Sequence, residues 1–166
     1  MPSVALFGIS VVFGFVVWGT LARYYIWPAL RDRPGPEALR PILLLHAFRF
    51  MGLSFLVPGV VSPDIPAAFA RSAGYGDFIA AILALLALAA LGTRLGTVLA
   101  WVFSLIGTGD LLLAFYLGPH TSLDPGQLGP GFFIVTVFVP FLFITHIMAM
   151  RILVRTQPVA VLAATR

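Results

Sequence analysis

Four ionisable residues, His46, Arg49, Asp110 and His146, interrupt otherwise apolar stretches of the chain. In a hydrocarbon medium such side chains cost free energy unless they are paired or face a polar cavity, so each is by default a candidate site residue. Imidazole, guanidinium and carboxylate are also the groups that hold polar ligands or hand on protons. His46 and Arg49 are three residues apart, and on a helix they share one face. That face is predicted to point into the protein. Arg49 and Asp110 carry opposite charges, and the cost of either alone predicts an ion pair between their helices. The pair has two readings: a purely structural tie, or the lining of a proton, ion or headgroup site.

His46 and His146 fall at matched depth, about 7 Å and about 6 Å from the same side, if the rise is 1.5 Å per residue. Two imidazoles at one depth suggest three uses: bis-histidine ligation of a haem b, proton handling, or hydrogen-bonded structural roles. In the haem case Arg23 or Arg151 would meet the propionates. His120, the third imidazole, belongs to the opposite side, which argues against a metal site without haem. The chain has no cysteine, so thiolate, disulfide and iron–sulfur chemistry are excluded, and without lysine there is no Schiff base. No nucleophile with an adjacent base is recognisable, and GTGD at 107–110 lacks the lysine of a phosphate loop.

The elements that must position these residues are five apolar runs, at about 4–27, 41–61, 75–91, 95–117 and 131–150. Each is long enough to cross a hydrocarbon core as a helix. The fold class is therefore all-α, a polytopic membrane protein with one five-helix domain over 1–166 and a short tail at 151–166. With 60% apolar and 10% charged residues and a mean hydropathy of +1.04, the chain lacks the polar surface to solvate a globule. Its ten basic residues are all arginine, which together with abundant alanine, glycine and proline points to GC-rich codons and a bacterial inner membrane. The net charge of +4 is read as a topology signal, and no nucleic-acid partner is expected.

Arg23, Arg31, Arg33, Arg40, Arg94, Arg151, Arg155 and Arg166 fall on one side, which predicts a cytoplasmic carboxyl terminus and an outer amino terminus. The other side carries Arg71 with Asp64, Asp77 and Asp124. Pro41 is expected to open the second helix, a short interfacial helix is expected over 66–73, and Pro140 is expected to kink the fifth. GTR at 92–94 permits only a tight hairpin, so the third and fourth helices are antiparallel neighbours. Gly8, Gly14 and Gly19 in the first span and the alanines of the third allow close packing, within the chain or against a second copy.

In length and span number the chain resembles the tryptophan-rich sensory protein family. It has only Trp18, Trp27 and Trp101 and lacks that family's proline- and tryptophan-rich signature, so no activity is carried over. The expected function is an intramembrane polar site, His46, Arg49, Asp110 and His146, that binds a small or amphipathic ligand or passes protons. The alternatives are a haem b electron carrier ligated by His46 and His146, and an accessory subunit of a membrane complex. Membrane lipids, a homo-oligomer or a larger membrane complex are the expected partners.

Overall fold

A run of apolar residues without water must satisfy its backbone internally, and the helix does so within one segment. The computed structural model describes residues 3–156, whose regular elements are all helices, joined by turns and loops and with no strand among the described residues. Five helices are long and apolar enough to cross a membrane: α1 Ser3–Leu30, α2 Gly35–Leu56, α3 Ala67–Ala89, α4 Arg94–His120 and α5 Gly131–Thr156.

Several boundaries differ from expectation, and three of them bear on the packing. The second helix begins at Gly35, ahead of Pro41, because Pro36 already occupies the first turn, where a missing N–H costs nothing. Gly35 also lets this end approach Thr156, whose methyl group would collide with a Cβ. The short helix expected over 66–73 is absent as a separate element, since α3 runs unbroken from Ala67 and carries Asp77 into its interior. Helix α5 continues to Thr156, so 151–156 is helix where a tail was expected. Residues 157–166 of that expected tail, including Arg166, lie outside the described residues.

The connections gather at two ends. At one, the Arg155 guanidinium donates to the carbonyls of Leu30, Arg31 and Arg33, tying α5 to the α1–α2 turn. The α3–α4 hairpin turns at Gly92 (φ 91°), and Thr93 caps α4 by accepting from the Gly96 N–H at 3.0 Å. At the other end, the Ser62 N–H donates to the Gln127 carbonyl at 2.9 Å, and Gln127 Nε2 donates to the Asp64 carbonyl at 3.0 Å. Asp124 caps the 3₁₀ turn Pro125–Leu128, which buries Leu128 beside Phe55, Val61 and Phe69.

Helix α3 buries Ala80, Ala81, Ala84 and Ala87, so α2 and α4 approach its backbone closely. Helix α1 is attached differently. Its segment Ser3–Leu21 has no fully buried residue and packs mainly on α5, with Trp18 stacked on Phe141 at 4.0 Å between centroids. Of its three glycines only Gly14 serves this contact, against the Thr136 carbonyl and Pro140, while no described residue lies within 4 Å of a Cβ placed at Gly8 or Gly19. Pro140 is absorbed by a π-helical turn, Ile134–Phe138, immediately before it, a recognised response to an interrupted ladder.

Candidate functional site

After His46 the second helix tightens into a nine-residue 3₁₀ segment, Phe48–Leu56. Three residues per turn align positions three apart, where an α-helix would rotate each by about 60°. Arg49, Gly52 and Phe55 therefore share one buried face, in line with His46. A 3₁₀ run this long is uncommon, and here it carries the central charge of the molecule.

The Arg49 side chain is fully buried. Its Nε–H donates to Asp77 Oδ1 at 2.7 Å, Nη2 to Asp110 Oδ2 at 2.6 Å, and Nη1 to the Gly107 carbonyl at 3.2 Å and to His146 Nε2 at 3.0 Å. Four of the five guanidinium N–H groups are thus engaged, from three different helices. Charge-assisted bonds at these lengths are the strong kind. Because the second helix starts at Gly35, Arg49 lies about 21 Å along it, close to the roughly 24 Å of Asp110 along α4 at 1.5 Å per residue.

Three glycines make room for these groups. A Cβ at Gly52 would collide with the Asp77 carboxylate, one at Gly76 with the Asp110 carboxylate, and one at Gly107 with the His146 ring at 2.6 Å and Arg49 Nη1 at 2.9 Å. Helices α2, α3 and α4 thus each yield space to a polar side chain of another helix.

Both histidines are fully buried, with ring centroids 4.2 Å apart. Arginine only donates, so His146 Nε2 accepts and its proton sits on Nδ1. Thr145 donates its hydroxyl to the carbonyls of Phe141 and Leu142, so it accepts from His46 Nε2–H at 2.9 Å, leaving His46 Nδ1 as an acceptor. Neither Nδ1 has a hydrogen-bond partner among the described residues, nor do the buried hydroxyls of Ser104 and Thr108.

The haem alternative does not fit this geometry. Two imidazoles on one metal need about 4 Å between their ligating nitrogens and a clear plane for the macrocycle. Here the centroids themselves are 4.2 Å apart, the planes are inclined by 55°, and Phe103 packs on both rings at 4.9 and 4.8 Å.

On the side of the loop holding Asp124, a cavity of about 200 Å³ reaches the cluster. Its walls are apolar, with Phe7, Phe55, Phe69, Leu111, Ala114 and Phe115 among them, and its charged lining residues are Asp77 and Asp110. Both carboxylate side chains retain 9% exposure. The structure therefore brings His46, Arg49, Asp110 and His146 together and adds Asp77, which the sequence reading assigned to the outer surface. A signal for it was present: Asp77 ends GYGD at 74–77 just as Asp110 ends GTGD at 107–110.

A family model described as a domain of unknown function (DUF8737) matches residues 6–154. No curated protein and no solved structure matches the chain.

Proposed function

We propose, on the premise that this chain belongs to the DUF8737 family, a domain of unknown function, that it is an integral membrane protein binding a small amphipathic cation. It is a single domain of five spans in a bacterial inner membrane, with its amino terminus outside and its carboxyl terminus cytoplasmic. The observation that carries the binding role is an apolar cavity whose charged lining residues are two carboxylates sharing one guanidinium. Ionised together with Arg49, Asp77 and Asp110 leave one excess negative charge in surroundings that solvate charge poorly. Neutrality requires one more positive charge, either a proton on a carboxyl or an ammonium group in the cavity. A ligand with an apolar body and a basic nitrogen supplies it, and its binding releases a proton.

The same charge count supports proton transfer as a second reading. It is favoured by the Arg49–His146 hydrogen bond and the adjoining His46 ring, since neither histidine Nδ1 has a partner among the described residues.

Purified protein titrated with a fluorescent hydrophobic amine and with its uncharged carbon isostere tests the binding reading. The amine is expected to bind at least about ten-fold more tightly, since one desolvated charge pair exceeds about 1.4 kcal/mol. Asp110→Asn removes that preference, and Ala114→Trp, which fills the cavity, removes binding of both. Equal binding of the isostere, or indifference to Ala114→Trp, rejects the reading and favours the accessory-subunit alternative.

A further inference from the structure

Helices α1 and α5 enclose a second groove, of about 300 Å³, toward the end where α1 meets α2. Its floor is small and apolar, with Gly19 and Ile144, while Arg23, Trp27 and Arg151 border it. Ridge-into-groove packing would normally close such a space, but α1 changes to π winding over Ala22–Ile26 beside it.

The arginines of this region are used unequally. Arg155 is committed, since its guanidinium donates to the carbonyls of Leu30, Arg31 and Arg33. Arg151, one turn earlier, and Arg23 on the facing helix are exposed, and neither forms a salt bridge among the described residues. Arg151 lies 5.9 Å from the Trp27 ring and Arg23 5.7 Å from the Tyr24 ring, contacts that orient the guanidinium planes and leave their N–H edges available. Two like charges at one groove repel unless an anion lies between them. An anion with an attached apolar chain uses every part of this surface: bidentate bonds from arginine to phosphate oxygens, an indole at headgroup level, and a floor for hydrocarbon.

We propose that this groove binds one anionic phospholipid of the phosphatidylglycerol type, its phosphate between Arg23 and Arg151 and an acyl chain along Gly19 and Ile144. The inference rests on the membrane-embedded reading above but not on the cavity ligand. Its consequence is structural: because Ser3–Leu21 has no fully buried residue, the lipid supplies a bridge that secures α1 on α5.

Native mass spectrometry of protein extracted from membranes, then delipidated in neutral detergent and offered equal phosphatidylglycerol and phosphatidylcholine, tests this. About one phosphatidylglycerol per chain is expected to be retained, with about thirty-fold preference, equivalent to roughly 1 kcal/mol from each arginine. Arg23→Gln with Arg151→Gln should bring the preference close to parity, and the two Arg→Lys replacements, which keep the charge but lose the bidentate fork, should keep part of it. Arg40→Gln with Arg94→Gln, exposed arginines away from the groove, should leave it unchanged. An unaltered preference in the Arg23/Arg151 variant, or an equal loss in the Arg40/Arg94 variant, overturns the proposal. Displacement of the lipid by millimolar inorganic phosphate also overturns it, by assigning the arginines to free phosphate. A chain that never fractionates with membranes defeats the membrane reading itself, whereas a membrane-extracted chain without lipid preference defeats this inference alone.

Discussion

Arg49 stands between two carboxylates and a neutral imidazole, so its removal strands more than one partner. Arg49→Leu is expected to cost about 3–5 kcal/mol, the range for breaking a buried pair from one side. Arg49→Leu with Asp110→Leu should recover only part of this, because Asp77 stays unpaired, and adding Asp77→Leu should recover more. Unfolding midpoints of the single, double and triple variants in detergent measure this, and full recovery in the double variant would remove Asp77 from the network. The glycines give a second prediction at this scale. Gly52→Ala and Gly76→Ala push a methyl group into a bound carboxylate and should destabilise by about 1–3 kcal/mol. Gly109→Ala, where nothing lies within 4 Å, should stabilise slightly or do nothing in the same assay.

At the scale of the element, the 3₁₀ segment decides which residues of α2 meet α3. The Arg49 and Gly52 row reaches Asp77 only because three residues complete a turn. Helix α1 presents the opposite situation, a span held mainly by surface contacts with one partner. Since the chain has no cysteine, Trp18→Cys with Phe141→Cys introduces a unique pair at the stacked position. A short bifunctional thiol reagent should bridge them in membranes, and adding Gly14→Leu should abolish the bridge by lifting α1 off Thr136 and Pro140. Bridging that survives Gly14→Leu would show that this close approach does not hold the helix.

For the whole molecule, loops 57–66 and 121–130 meet at one end and the α1–α2 turn meets the end of α5 at the other. This division follows the arginine asymmetry. Reporter fusions after residue 35 should read cytoplasmic, and fusions near residues 68 and 124 should read external. An external signal after residue 35 would invert the proposed topology and place the cavity on the cytoplasmic side.

Much of this architecture is written in local chemistry. The all-helical class and the number of long apolar helices follow from composition and run length, since each helix closes its backbone bonds within itself. The tight α3–α4 hairpin and the shared face of His46 and Arg49 are likewise short-range, set by the brevity of GTR and by residue spacing. The pairing of Arg49 with Asp110 was expected from charge cost alone, although which helices adjoin is a long-range property. Tertiary structure alone decided the rest. Asp77 is recruited because α3 starts at Ala67 and because Gly52 admits its carboxylate, two facts that depend on different segments meeting. The histidines turn out too close for a haem because Phe103 and Thr145 draw the rings together, a packing outcome that matched depth does not contain. The cavity, too, exists only where side chains of α1 to α5 and the turn at Pro125 fail to fill the space they share, and no single stretch of residues encodes a space.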